Sequence, residues 1–176
     1  MLLLGGVRSG KSALAVEWAT AHEAAGGTVT FLATGPHIDG DADFDQRIDS
    51  HRASRPPWPT IEEELDLSSA LMAAGDSLVL LDCLALWVNN LLHRGDDEVG
   101  IAARAGALAD DLARRAAPTI VISNEVGLGV HPETELGRRY RDALGRVNQA
   151  VAAKADRTLL LVAGRALRLD DPRNLL

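Results

Sequence analysis

The sequence predicts an α/β fold in which a mostly parallel β-sheet carries helices on both faces. Short aliphatic segments alternate with longer helix-forming segments, and this alternation is typical of a parallel sheet with crossover helices. A glycine-rich turn joins the first aliphatic segment to the first helical one. Clusters of polar residues follow the aliphatic segments, at the strand ends where open α/β sheets bind their ligands.

Composition narrows the class of protein. Hydrophobic residues make up 47% of the 176 residues, enough for a core of ordinary size. The net charge of −7 and the 3% aromatic content argue against a nucleic-acid partner. No apolar run is long enough to span a membrane, no signal peptide is visible, and the single cysteine, Cys83, excludes an internal disulfide. We expect one cytoplasmic domain over residues 1–176.

A phosphate-binding motif lies at the start of the chain. A strand over residues 1–4 leads into residues 5–12, which read G-x-x-x-x-G-K-S, and a helix over 13–25 follows. In this arrangement main-chain N–H groups and the helix N-terminus surround a phosphate, Lys11 reaches the β- and γ-phosphates, and the Ser12 hydroxyl ligates Mg²⁺. The pattern predicts a P-loop NTPase-like fold. Its phosphate-binding residues are Gly5, Gly6, Val7, Arg8, Ser9, Gly10, Lys11 and Ser12.

A predicted strand leads into the most polar part of the chain, residues 39–54. Residues 28–34 predict a strand by their β-branched content, and residues 43–52 predict a short helix that carries His51. A lone histidine is usually structural or exposed to solvent, so the spacing by itself assigns no chemistry to His51. The proline-rich residues 55–59 predict an extended segment.

An acidic residue ends the next aliphatic strand. Residues 78–82 read Leu-Val-Leu-Leu-Asp, the shape of a Walker B strand, whose acid reaches Mg²⁺, usually through water. The alternative is a strand that ends in a capping Asp82. The phosphate motif upstream favours the metal role. The remaining predicted elements are helices over 65–74, 84–93, 98–115 and from 132 or 133 to 154, strands over 119–123 and 157–162, and an edge strand or hairpin over 163–169.

Six stretches, in the same order along the chain, resemble one known family. They are residues 5–12, Arg47-Ile48-x-x-His51-Arg52-x-x-Arg55-Pro56, Thr60-Ile61-Glu62-Glu63, Leu81-Asp82-Cys83-Leu84-x-Leu86-Trp87-x-x-Asn90-Leu91-Leu92, Asn124-Glu125-Val126-Gly127-x-Gly129 and Gly145-Arg146-Val147-Asn148-Gln149. The family is the bifunctional adenosylcobinamide kinase / adenosylcobinamide-phosphate guanylyltransferase of cobalamin biosynthesis. The resemblance covers essentially the whole chain.

The resemblance implies two reactions in one domain. The first phosphorylates the aminopropanol hydroxyl of adenosylcobinamide with ATP or GTP. The second transfers GMP from GTP to that phosphate, through a guanylylated histidine that matches His51. The resemblance also implies Mg²⁺ as cofactor, a corrinoid and nucleotides as the small-molecule partners, and a homotrimer. Beyond the phosphate motif it implies nucleotide binding by Ala33, Thr34, Gly35, Arg52, Ala53, Ser54, Arg55, Glu62 and Asp82, with the choice among Glu62, Glu63 and Glu64 open.

Two other functions fit the same motifs. A different P-loop small-molecule kinase would use Lys11, Ser12 and Asp82 and would leave His51 idle. A nucleotide-binding regulatory protein would bind without turnover, although a compact chain with no separate effector module weighs against that reading. Covalent retention of label from α-labelled GTP separates the three functions, because only the bifunctional enzyme forms a guanylyl-histidine.

Overall fold

The computed structural model describes residues 1–35 and 55–175 of the chain. In this part of the chain seven strands form one sheet. The strands are β1 (Leu2–Gly5), β2 (Val29–Ala33), β3 (Thr60–Glu62), β4 (Leu78–Asp82), β5 (Thr119–Ile122), β6 (Thr158–Val162) and β7 (Arg165–Leu169). Their order across the sheet is β3-β2-β4-β5-β1-β6-β7. Every pairing is parallel except that of β6 with β7, which is antiparallel.

Five α-helices connect the strands of the described residues. They are α1 (Lys11–Ala24), α2 (Leu67–Ala73), α3 (Leu84–Arg94), α4 (Glu98–Arg114) and α5 (Glu135–Ala152), and a 3₁₀ turn covers Pro172–Leu175. Asp66, Asp97 and Thr134 cap α2, α4 and α5, because each side chain accepts a hydrogen bond from the main-chain N–H three residues on. None of these helices is long and apolar enough to cross a bilayer.

The core lies on both sides of the sheet. Leu78, Val79, Leu80 and Leu81 of β4 are all at most 4% exposed. Successive residues of a strand point to opposite faces, so both faces of β4 are covered. Helix α1 packs against β1, β2, β4 and β5, whereas α3 and α4 both pack on α5.

Strand register brings the polar strand ends to one edge of the sheet. Ile122 of β5 lies opposite Leu3 of β1 on one side and Asp82 of β4 on the other. Ala33 of β2 lies opposite Asp82 as well. The phosphate motif, the 33–35 segment, Asp82 and the residues after β5 therefore meet at the same carboxyl edge.

The structure confirms the predicted fold class and corrects several element boundaries. Helix α1 begins at Lys11, because the glycine loop ends at Gly10. Helix α5 begins at Glu135 and not at residue 132 or 133, because Thr134 caps it. The short strand β3 was not predicted, and β7 is the predicted edge hairpin. The predicted helix over 43–52 lies outside the described residues.

Candidate nucleotide-binding site

A tight loop connects β1 to α1 at the carboxyl edge of the sheet. Gly10 has φ of +103° and precedes the helix, so it brings no side chain that could cap the first turn. A Cβ at Gly5 would lie 2.3 Å from the main-chain oxygen of Leu161, so β6 leaves no room for a side chain there. The uncapped helix N-terminus and the turned main chain form an anion-binding site.

The side chain of Lys11 lies inside this loop. Its Nζ donates hydrogen bonds to the main-chain oxygens of Gly5 at 2.8 Å and Gly6 at 2.7 Å, and it lies 3.4 Å from Ser9 Oγ. Burial lowers the pKa of Lys11 below its ordinary value. A phosphate oxygen is a better acceptor for an ammonium group than a neutral carbonyl, so a bound phosphate would draw Lys11 out of these contacts.

Ser12 and Asp82 meet next to the loop. The Ser12 hydroxyl donates to a carboxylate oxygen of Asp82 at 3.4 Å, although the two residues lie on α1 and β4. A hydroxyl and a carboxylate are oxygen ligands of the kind that Mg²⁺ takes, and it keeps several waters besides. The donor set therefore fits a magnesium ion between Ser12 and Asp82.

The side chain of Thr34 holds the strand end that carries Asp82. Thr34 is fully buried, and its hydroxyl donates to the main-chain oxygen of Cys83 at 2.8 Å and accepts from the Cys83 N–H at 2.9 Å. The Asn90 side chain donates to the main-chain oxygen of Thr34 at 2.8 Å. Burial raises the pKa of the Cys83 thiol to about 12, which keeps it protonated and unreactive. The hydroxyl of Thr34 is thus engaged by the protein, and its predicted contact with nucleotide stays a prediction.

Replacing Thr34 with valine should destabilise the protein without changing its shape. Thr34→Val removes the partner of the buried Cys83 N–H and leaves the Cys83 carbonyl with only its bond from the Trp87 N–H at 3.3 Å, which costs about 1–3 kcal/mol. Urea unfolding measures the loss. Thr20→Val, at an exposed position of α1, is the matched control and should change stability by less than about 0.5 kcal/mol. Equal effects of the two substitutions would contradict the role given to Thr34.

A cleft of about 390 Å³ opens beside Ser12 and Asp82. Arg55 lines it, with its guanidinium 3.9 Å from the ring centre of Phe31 and a hydrogen bond of 3.0 Å to Thr60 Oγ1. This volume lies in the range of small-molecule sites. The structure therefore brings three of the predicted site residues, Ser12, Arg55 and Asp82, to one cleft.

The structure distinguishes the roles of two of the three acidic residues 62–64. Glu63 accepts hydrogen bonds from the main-chain N–H groups of Leu65 and Asp66 at 2.8 and 2.9 Å, so its carboxylate shapes a turn. Glu62 ends β3 opposite Ala33. Nucleotide binding by Glu62 remains a prediction. The predicted residues His51, Arg52, Ala53 and Ser54 lie outside the described residues.

The sequence did not predict the hydrogen bonds that hold the phosphate loop and the residues after β5. The main-chain N–H of Gly164, in the turn between β6 and β7, donates to the oxygen of Ser9 at 2.9 Å. The residues after β5 are held by Asn148 of α5, which accepts from the Ser123 hydroxyl at 2.6 Å and donates to the oxygen of Asn124 at 3.0 Å. Asn124 and Asn148 belong to stretches that carried the family resemblance, and that was their only signal.

Comparison with known families shows the family to which the chain belongs. The family described as cobinamide kinase / cobinamide phosphate guanyltransferase matches residues 1–169. The chain belongs to this family. Its members share with this chain the P-loop-like α/β fold, and their description names two activities on cobinamide compounds.

Curated relatives cover nearly the whole chain. The bifunctional adenosylcobalamin biosynthesis protein CobP of Pseudomonas aeruginosa is 41% identical over 171 residues, which are 96% of this chain and 95% of that protein. The bifunctional adenosylcobalamin biosynthesis proteins CobU of Escherichia coli and of Salmonella typhimurium are each 34% identical over 184 aligned residues, covering 96% of this chain and 98% of each relative. The family resemblance seen in the sequence is confirmed.

Proposed function

We propose that this chain is a bifunctional enzyme of cobalamin biosynthesis. It phosphorylates adenosylcobinamide with ATP or GTP and then transfers GMP from GTP to adenosylcobinamide phosphate, giving adenosyl-GDP-cobinamide. The observation that carries the proposal is the phosphate loop with Lys11 inside it, in a chain that matches the family over residues 1–169. The nearby cleft with Ser12, Arg55 and Asp82 gives room for the reacting groups.

The kinase reaction uses the loop to hold the triphosphate. The substrate hydroxyl attacks the γ-phosphorus in line with the leaving oxygen, and the work of the protein is positioning and charge stabilisation. Lys11 and the main-chain N–H groups of the loop bind the β- and γ-phosphates. When bound, Mg²⁺ neutralises charge on the phosphates, and Ser12 and Asp82 would hold it.

Asp82→Asn should weaken the use of Mg²⁺ more than the binding of nucleotide. The amide keeps the shape of the side chain and removes the negative charge next to Ser12. We expect the Mg²⁺ concentration for half-maximal kinase rate to rise about 10- to 100-fold. Rates titrated against Mg²⁺ measure the change. Asp76→Asn, an exposed position at the other end of β4, is the control. An unchanged Mg²⁺ requirement would leave Asp82 as a structural residue.

The guanylyltransferase reaction proceeds through His51. An imidazole nitrogen attacks the α-phosphorus of GTP, the bond to pyrophosphate breaks, and GMP is held on the histidine as a phosphoramidate. An oxygen of adenosylcobinamide phosphate then attacks the same phosphorus, the bond to the histidine nitrogen breaks, and the histidine is free again. Arg52, Arg55 and Lys11 balance the charge that develops on the α-phosphate. The assignment of His51 rests on its place in the motif from Arg47 to Pro56.

One labelling experiment tests the proposal against its two competitors. The purified chain is incubated with α-labelled GTP and analysed on a denaturing gel. The bifunctional enzyme retains label in an acid-labile, alkali-stable bond, and added adenosylcobinamide phosphate discharges it. A simple P-loop kinase would turn over γ-labelled nucleotide without retaining α-label. A regulatory protein would do neither.

The proposal also covers the domain organisation, the location and the assembly of the enzyme. We propose that residues 1–176 act as one domain, that the enzyme works in the cytoplasm, and that it assembles as a homotrimer, as the family resemblance implies. Light scattering coupled to size-exclusion chromatography measures the assembly. A mass of one or two chains at working concentration would contradict the trimer.

A further inference from the structure

Glu125 lies just after β5, the strand between β4 and β1 in the sheet. Strand β5 separates β4, which ends at Asp82, from β1, which leads into the phosphate loop. Ile122 lies level with Asp82 and with Leu3, so Glu125, three residues further on, is level with the start of the loop. The register places the main chain of Glu125 beside the start of the loop that would hold a triphosphate.

The main chain of Glu125 is bonded directly to the phosphate loop. Its N–H donates to the main-chain oxygen of Gly5 at 3.2 Å, and the same oxygen accepts the hydrogen bond from Lys11 Nζ at 2.8 Å. Glu125 and the ammonium group of Lys11 therefore share one acceptor. A group that approaches a phosphate held in this loop would therefore pass the main chain of Glu125, from which its side chain extends.

Buried hydrogen bonds fix the residues that precede Glu125. Ser123 is fully buried and Asn148 is 5% exposed, and the Asn148 side chain ties the Ser123 hydroxyl and the Asn124 oxygen to α5. Glu125 itself is partly exposed, so a substrate can reach it. Such a combination, a fixed main chain and an accessible carboxylate, is what a residue that handles a substrate proton requires.

The Glu125 carboxylate keeps acceptor capacity after the one contact that it makes among residues 1–35 and 55–175. One oxygen of Glu125 accepts from the N–H of Gly127, and a Cβ at Gly127 would lie 2.8 Å from that oxygen. A carboxylate has two oxygens with about four lone-pair sites, so the turn uses only part of it. Shaping the turn alone would not need a charged side chain.

We propose that Glu125 is a catalytic residue of the kinase reaction and accepts the proton of the acceptor hydroxyl. The inference rests on the proposed function and deepens it. As the hydroxyl oxygen forms its bond to the γ-phosphorus, the bond from that phosphorus to the β–γ bridging oxygen breaks and a nucleoside diphosphate leaves. The hydroxyl proton passes to the Glu125 carboxylate and from there to solvent. The guanylyl transfer does not use this residue, because its acceptor is an ionised phosphate.

The test is Glu125→Gln with the two reactions assayed separately. The amide oxygen of glutamine still accepts from Gly127, whereas the base is gone. We expect the kinase kcat on adenosylcobinamide to fall by about 10²-fold or more, with an unchanged KM for nucleotide and loss of the acid limb of the pH profile. GMP transfer to supplied adenosylcobinamide phosphate should stay within about twofold of wild type, because that acceptor has no proton to give up. A structural change would instead lower both rates. Glu133→Gln, at an exposed position after the same loop, is the control and should leave both rates unchanged.

Each other outcome overturns the inference in a recognisable way. A kinase rate within about threefold of wild type shows that the carboxylate takes no proton. An equal loss of both reactions shows a structural role. A wild-type enzyme that transfers no phosphate to adenosylcobinamide overturns the proposed function together with the inference, and that result is visible before any variant is made.

Discussion

Substituting Lys11 should abolish both reactions together. Each reaction uses a triphosphate, and the structure places one ammonium group inside the loop that would hold it. Lys11→Ala removes that charge, and Lys11→Met removes it while keeping most of the buried stem, so a shared defect cannot be due to a cavity alone. We expect kcat at saturating nucleotide to fall by about 10²-fold or more in both half-reactions, as when a preorganised charge contact to the reacting group is lost.

The chain offers a matched control for this experiment. Its other lysine, Lys154, is exposed and pairs with Asp110 at 3.0 Å. Lys154→Ala should keep both activities, since exposed ion pairs contribute little. Near-normal kinase rates in either Lys11 variant would show that the two reactions do not share the loop. Urea unfolding of each variant shows whether it is folded.

Most of the fold could be predicted because its central strands β1, β4 and β5 are buried on both faces. β4 and β5 are short aliphatic runs, and such runs between helical segments predict parallel strands well. β3 has the opposite character. It is a three-residue edge strand whose Thr60 and Glu62 are exposed, so its composition carried no strand signal. Only its pairing with β2 makes it a strand.

The site was predictable where its chemistry is local in sequence. Lys11 and Ser12 follow from the letters of one motif, and the structure places Lys11 inside the loop and Ser12 beside Asp82. Their contacts with phosphate and Mg²⁺ stay predictions. The contact of Thr34 with Cys83 joins residues that are 49 positions apart and uses main-chain atoms, for which no residue type is diagnostic. Arg55 over Phe31 is likewise a contact across the fold. Such contacts depend on register, which periodicity alone does not give.

The charge balance around the site explains how an acidic chain binds a triphosphate. The net charge is −7, so the protein as a whole repels polyanions. Lys11 and Arg55 are positive groups at the site, and the turned main chain and the N-terminus of α1 add fixed dipoles. Binding should therefore depend on these local donors. Substitution of Arg146, which is exposed on α5 and pairs with Glu98, should matter much less.

Substituting His51 should separate the two reactions completely. His51→Ala removes the proposed nucleophile, so covalent labelling from α-labelled GTP and GMP transfer should both fall to background. The kinase reaction needs no such nucleophile, because the substrate hydroxyl attacks the γ-phosphate directly. Much of the kinase activity should remain. Both half-reactions measured on one purified variant give the result, and His93→Ala, at an exposed position on α3, should keep both.

The pH dependence gives a second and independent reading of the same assignment. A histidine nucleophile needs one neutral nitrogen, so guanylylation should decline as pH falls through about 6 to 7, the range of an unperturbed imidazole. The kinase rate should not follow that curve. GMP labelling retained by His51→Ala would falsify the assignment, and the nucleophile would then be sought among His22, His37, His93 and His131.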